Sequence, residues 1–305
     1  MTTRKNIAAS VRQKLLNRAR SDHRPFNELL QYYAMERFIY RLSQSVHSER
    51  FILKGALMLR VWEAPELRPT MDIDMLGKTE KGETPYSEKI VVSQIREILN
   101  VKVKPDGLSF DSTSIQSERI TEDADYHGVR IRFLGTLDTA RINMQIDIGF
   151  GDVVFPPPQE SELPSMLDFA PPKILCYSRE SAIAEKFEVM VKLGMLNSRM
   201  KDFYDIWLLS RQFDFDGTQL ARAIQLTFER RKTTIAEEIP AFEGSFISEK
   251  QVQWAAFCKR INQEQLPTGF TDIVAHVEKF LRPVADAVRS GQPFSKRWIK
   301  ANKWC

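Results

Sequence analysis

The sequence is short of the residues that build disulfide scaffolds and thiolate or imidazole metal sites. Its three cysteines, Cys176, Cys258 and Cys305, are far apart and odd in number, which argues against a disulfide framework and a Cys-x-x-Cys site. The four histidines, His23, His47, His127 and His276, are equally scattered and none belongs to a His-Glu-x-x-His motif. Any metal is therefore expected on carboxylates. No run reaches the ~18 uncharged apolar residues of a membrane span. No charge of either sign prevails: 44 Lys and Arg face 40 Asp and Glu, a formal net charge of +4. Such a balance does not mark the whole chain as a nucleic-acid binder, although a local cluster could still act as one. With 43% apolar and 28% charged residues, the chain can build a core, and general disorder is excluded. Its length of 305 residues fits two ordinary domains or one large one. A cytoplasmic protein of a reducing compartment is expected.

Arg4, Lys5, Arg12, Lys14, Arg18 and Arg20 precede the first acid, Asp22, which superficially matches a transit peptide. Ile7, Val11, Leu15 and Leu16 fall at helical spacing, so an amphipathic helix packed on the domain is the better reading. A second helix is expected over 27–43, with Leu30, Ala34, Phe38 and Leu42 as its buried stripe. The segment 51–54 reads as a strand that ends at Gly55, followed by a brief helix over 56–62 and a turn at 64–66. Strands at 71–76, 108–112, 129–133 and 140–148, with a helix at 87–99, complete an α+β pattern with a mixed sheet. Residues 153–172 include six prolines and read as a stiff linker or crossing segment, because proline neither donates to a ladder nor continues a helix. Helices are expected at 179–193, 200–212, 218–230, 249–262 and 270–289. The expected division is thus an α+β domain over 1–177 and an all-helical domain over 178–305.

The chemistry centres on Thr70-Met71-Asp72-Ile73-Asp74. Residues two apart on a strand share a face, so Asp72 and Asp74 project together and repel each other unless a cation lies between them. Oxygen ligands of this kind suit Mg²⁺, which completes its shell with phosphates and water. By itself the motif is weak, and a solvated acidic pair is the bland alternative. Three features strengthen it. Lys54-Gly55-Ala56 joins a strand to a helix start, where free backbone N–H groups and the helix end favour a phosphate. Glycine there removes a Cβ from its path. Next, Ile142, Met144, Ile146 and Ile148 alternate with Asn143, Gln145 and Asp147. Asp147 therefore lies on a polar strand face, and a neighbouring strand would bring three carboxylates together, as a two-ion Mg²⁺ clamp on a nucleotide requires. Last, Lys186 lies one turn from Ile183 and Met190, on an apolar surface where its charge needs a partner. A triphosphate would serve, and so would a structural ion pair to Asp202 or Asp205.

The order of these pieces resembles the polymerase-β-like nucleotidyltransferase superfamily, and more closely the AbiEii/AbiGii toxin family that includes the MenT toxins. Phe51-Ile-Leu-Lys-Gly-Ala-Leu-Met-Leu59 resembles the family's F-x-L-K-G-G-x-A-L opening, and Arg68-Pro-Thr-Met-Asp-Ile-Asp74 its R-x-T-x-D-I-D block. Gln145-Ile-Asp-Ile-Gly-Phe-Gly-Asp152 is similar to the acidic strand motif. Ser181-Ala-Ile-Ala-Glu-Lys186 and Arg199-Met-Lys-Asp-Phe-Tyr-Asp205 resemble the two C-terminal motifs. The resemblance implies a metal held by Asp72 and Asp74, an NTP whose triphosphate meets Lys186, and a requirement for Asp202; the expected catalytic set is Asp72, Asp74, Lys186 and Asp202, with Asp202 orienting or deprotonating the acceptor. Asp147 as a third metal ligand follows from the superfamily plan and the strand alternation. Lys54, Gly55, Ala56, Thr70, Lys186 and Asp205 are the expected nucleotide-binding set. Ala56 stands where the family has a second glycine and the superfamily a serine, so Thr70 or backbone N–H groups would have to meet the phosphate. Family members are toxins of toxin–antitoxin pairs linked to abortive infection by phage, with the antitoxin encoded nearby. Characterised relatives add nucleotides to the tRNA 3′ end. The expected function is therefore Mg²⁺-dependent transfer of NMP to an acceptor hydroxyl, with a protein, a small molecule or mere binding as alternatives.

Two basic clusters remain. Arg289, Lys296, Arg297, Lys300 and Lys303 surround Trp298 and Trp304 without an acid among them. That pattern suits RNA, or tryptophans tucked into the helical domain beneath solvated lysines. Arg230-Arg231-Lys232 reads as a solvated helix end that complements the dipole.

Overall fold

Alternation of apolar and polar residues places Ile142, Met144, Ile146 and Ile148 in the interior of a long strand, and the first unit of the chain is built around it. The structure, a computed structural model, describes residues 2–64, 68–78, 87–123, 126–261, 266–300 and 303–305; most of the turn expected at 64–66 lies outside them. The chain forms two compact units, one of Met1–Glu63, Leu67–Gly151 and Gln159–Cys176, the other of Ala64–Glu66, Asp152–Pro158 and Tyr177–Cys305. Among the described residues no helix is long and apolar enough to cross a membrane.

The first unit begins with α1 (Thr2–Ser21) and α2 (Phe26–Ser43). Then follow β1 (Phe51–Lys54), a single 3₁₀ turn, α3 (Met58–Val61), β2 (Ile73–Gly77) and α4 (Glu88–Leu99). The strands β3 (Leu108–Asp123), β4 (Tyr126–Leu137), β5 (Ala140–Phe150), β6 (Gln159–Glu162) and β7 (Lys173–Cys176) complete it. One mixed sheet has the order β3-β4-β5-β2-β1-β7-β6. The β5/β2 and β1/β7 pairs are parallel and the others antiparallel. The expected α+β class with a mixed sheet is thus what the chain forms.

The differences from the sequence reading have local causes. β3 and β4 run well past 108–112 and 129–133 because they pair with each other along a largely polar hairpin, where no apolar alternation marks the strand. β6 and β7 form within the proline-rich stretch: Gln159 to Glu162 contains no proline, and β6 is an edge strand whose ladder lies only on the β7 side. β2 starts at Ile73, so Asp72 lies just before the strand instead of within it.

Helix α2 is buried along most of its length, including the charged Glu36, Arg37 and Arg41. Each of these has partners. Arg41 donates to both oxygens of Asp106 at 2.7 and 3.1 Å, Arg37 donates to the Ala170 carbonyl, and Glu36 accepts from the Met166 N–H at 2.7 Å.

The second unit contains α5 (Arg179–Leu193), α6 (Met200–Gln212), β8 (Phe215–Asp216), α7 (Gly217–Arg231), α8 (Gly244–Ile261) and α9 (Phe270–Ser290). α5 and α6 coincide with their expected spans, whereas α8 begins at Gly244 instead of 249. Phe203, Phe246, Trp254 and Phe270 form an aromatic centre with ring centroids 5.1–6.1 Å apart. The helical reading holds, and the structure adds a small sheet in which β8 pairs with β9 (Arg297–Ile299) and β9 with β10 (Lys303–Trp304).

Candidate active site

Strand pairing decides whether the acids meet. β5 lies beside β2 with Asp147 opposite Asp74. On the far sides, Lys54 of β1 is opposite Asp74 and Arg130 of β4 is opposite Asp147. Residues opposite each other across a ladder share a face. One line across four strands therefore reads Lys54, Asp74, Asp147, Arg130: cation, acid, acid, cation. Asp72 joins from the segment leading into β2, and one carboxylate oxygen from each of Asp72, Asp74 and Asp147 lies within 4.8 Å of the others. All three acids are half-buried.

Neighbouring residues fix this arrangement. Thr70 Oγ1 donates to Asp72 Oδ1 at 2.6 Å, while the Thr70 N–H donates to the Tyr32 hydroxyl at 3.1 Å. Tyr32 in turn donates to the Arg68 carbonyl at 3.3 Å. Burial raises the Tyr32 pKa, which keeps the phenol protonated. The side-chain amide of Gln31 donates to the Met71 carbonyl at 3.0 Å and the Asn143 carbonyl at 3.2 Å. One buried amide thus ties the segment before β2 to β5. Neither Tyr32, a core residue, nor Gln31 is among the site residues expected from the sequence. Neither contact leaves a periodic signal.

Of the expected phosphate-binding set, Lys54 is half-buried at the end of β1, Ala56 is buried in the following turn, and Gly55 between them has φ +72°. Thr70 is buried, with its hydroxyl turned to Asp72. The donor chemistry of the three acids fits a hard divalent cation, which prefers oxygen ligands and accepts them from one or two carboxylates and water. Among the described residues no other group of three such ligands occurs. Arg130, absent from the expected set, donates from Nε and Nη2 to the two oxygens of Asp147, both at 2.8 Å. Its signal was a basic residue on the polar face of the strand next to the acidic one.

In the second unit, Lys186 on α5 reaches Asp202 at 2.9 Å and Asp205 at 2.8 Å on α6. Arg199 contacts the other oxygen of Asp202 at 2.7 Å. Both structural ion pairs weighed from the sequence are therefore made. Asp202 is 1% exposed. Burial alone would raise its pKa, but the charges of Lys186 and Arg199 prevail and hold it below the usual carboxylate value.

Arg231 is not the solvated helix end its sequence implied. It contacts Glu188 at 2.9 Å, Asp152 at 3.0 Å and Glu185 at 3.6 Å; three acids distant in sequence converge on this half-buried cation. The tail resolves in favour of tucked tryptophans. Trp298 is fully buried and donates to the Ser210 carbonyl at 2.6 Å. Trp304 stacks on Phe280 and donates to its carbonyl at 3.0 Å. Lys296, Arg297, Lys300 and Lys303 stay exposed.

No curated protein matches the chain. The solved structures to which the chain is similar include two at 11% identity. A candidate nucleotidyltransferase from H. pylori has a TM-score of 0.47 over 86% of this chain and 95% of its own. JHP933 from Helicobacter pylori scores 0.46 over 87% and 92%. The family model described as "Nucleotidyl transferase AbiEii toxin, Type IV TA system" matches residues 37–281, most of the chain and all of the acids above. The chain belongs to the AbiEii nucleotidyl transferase toxin family of type IV toxin–antitoxin systems.

Proposed function

We propose that this chain is a Mg²⁺-dependent toxin that transfers NMP from an NTP to an acceptor hydroxyl, with the tRNA 3′ end as the preferred acceptor. The observation that carries this reading is the convergence of Asp72, Asp74 and Asp147 within 4.8 Å. These three residues would hold the cation. When bound, Mg²⁺ supplies charge neutralisation at the triphosphate and a lowered pKa at the attacking hydroxyl. The acceptor hydroxyl gives its proton to water, its oxygen forms a bond to the α-phosphorus as the bond to the β-phosphate breaks, and pyrophosphate leaves with the electron pair. Such transfers rest on positioning and electrostatics.

The chain's own residues supply the positioning. Thr70 orients Asp72, Gln31 and Tyr32 hold the backbone around it, and Lys54 and Gly55 with their turn offer N–H groups and a cation to phosphate. Lys186 carries the phosphate-binding role that the family resemblance assigns. Asp202 and Asp205 hold its ammonium, so the requirement for Asp202 follows through Lys186 and Arg199. The same membership supports an antitoxin partner, and the reading extends to a nearby antitoxin gene and a role in abortive infection.

Incubation with Mg²⁺, each labelled NTP and total tRNA tests the reading on a gel. Label on tRNA, lost in Asp72→Ala and Asp74→Ala proteins of unchanged circular dichroism, is expected. A reduction of about 10³-fold or more is of the size seen when a charge-stabilising group is removed. Label on the protein itself, or RNA binding without label, would reject tRNA transfer.

A further inference from the structure

The Arg130–Asp147 pair has more order than a surface ion pair. Both carboxylate oxygens are engaged at 2.8 Å by two nitrogens of one guanidinium, the fork-to-fork form that combines strength with fixed geometry. The ladder sets the two residues directly opposite. Arg130 is also braced from β3 by Glu118 at 3.4 Å, a carboxylate that Arg132 shares at 3.0 Å. A bidentate guanidinium uses one lone pair on each oxygen, so Asp147 keeps capacity for a cation. The charge is altered, however. Three carboxylates flanked on the ladder by Arg130 and Lys54 sum to −1 instead of −3, which one divalent cation already offsets.

We propose that Arg130 is a positioning residue that limits the Asp72–Asp74–Asp147 cluster to one divalent cation in the nucleotide-free protein. It does so by holding a fixed positive charge on Asp147. A second ion on that carboxylate would lie beside the guanidinium, and at such separations like charges repel strongly in a partly buried site. The proposal rests on the metal reading above and concerns how many ions the cluster admits.

Mn²⁺ alone serves as the probe, with free ion followed by electron paramagnetic resonance during titration of the full chain. The wild-type protein should bind one Mn²⁺ at the cluster. Arg130→Met should bind two, or bind the first at least about tenfold more tightly, as expected when a neighbouring charge is removed. Arg130→Lys, which keeps the charge, should restore the wild-type count. Arg130→Gln, neutral but able to donate, replaces the Met variant if circular dichroism shows that variant misfolded. An unchanged count and affinity in a folded neutral variant overturns the proposal alone. No Mn²⁺ bound by the wild type or any variant overturns the metal reading and the proposal with it.

Discussion

Gly55 and Asp74 are fitted to each other: a Cβ on Gly55 would lie 1.9 Å from Asp74 Oδ2. The carboxylate therefore occupies the space that the glycine leaves, and φ +72° at Gly55 is a conformation that other residues adopt at a cost. The sequence reading gave this glycine to phosphate approach; the structure gives it a second reason in the acid beside it. Gly55→Ala must move Asp74 and also strain the turn. A stability loss of about 1–3 kcal/mol is expected, together with weaker Mn²⁺ binding and a larger loss of transfer than of stability. Thermal melts and metal titration on the same sample check this, and wild-type metal affinity in the variant would contradict it.

Lys186 neutralises two carboxylates that are 1% and 4% exposed. Lys186→Met takes one cation from each carboxylate, with Arg199 still on Asp202, and should cost about 2–4 kcal/mol, discounted slightly because the lysine itself touches solvent. The urea midpoint should fall accordingly, and Lys186→Arg should recover most of it. The Asp202 pKa is depressed in the folded state, so its stabilising contribution is present above the ordinary carboxylate range and is lost as pH falls through the folded value. Acid titration of Lys186→Met should show a weaker dependence in that range.

Asp106 is the stability counterpart, away from the proposed chemistry. Its carboxylate takes two hydrogen bonds from Arg41 and one from the Leu108 N–H at 3.1 Å. Asp106→Ala strands a buried guanidinium and is expected to lose about 3–5 kcal/mol, read from chemical denaturation. A loss below 1 kcal/mol, the scale of an exposed pair, would show that water reaches Arg41.

His276 should set a mild pH dependence. Its Nε2 lies 2.8 Å from Ser210 Oγ, and burial, followed by the charges of Arg211 and Lys279, lowers its pKa to about 4. Between that value and the unfolded ~6.5, the unfolded state binds more protons. Stability from this group is therefore full above the unfolded pKa and declines as pH falls toward 4. Solvent contact limits the effect to about 1–2 kcal/mol. Urea midpoints at pH 7 and pH 4.5 should converge in His276→Gln relative to wild type.

How much was legible follows from where each signal resides. Helices α5 and α6 were readable to the residue because each carries an apolar stripe at helical spacing with a clear stop. β5 was readable because alternating Ile and Met face inward. β3 was readable only in part, since a polar hairpin is held by ladder bonds instead of burial. β6 and β7 were hidden by prolines that flank them without entering them. Of the candidate site, Asp72, Asp74 and Asp147 could be named from alternation and motif. Gln31 and Tyr32 could not, because they act through long-range contacts; the signal of Arg130, a basic residue on the polar face of β4, has meaning only once the strand order is known.

The sequence by itself determined the α+β class and singled out Asp72, Asp74 and Asp147 as candidate ligands, because short-range periodicity and motif spacing carry those. Only the tertiary structure decided that β5 lies beside β2, with Asp147 opposite Asp74 and Arg130 on its far side. It likewise decided that Arg231 is the hub of an acidic cluster and that Trp298 is interior, with Trp304 half-buried against Phe280. Strand order and the fate of a lone cation depend on residues tens of positions away, and no local pattern encodes which of them will arrive.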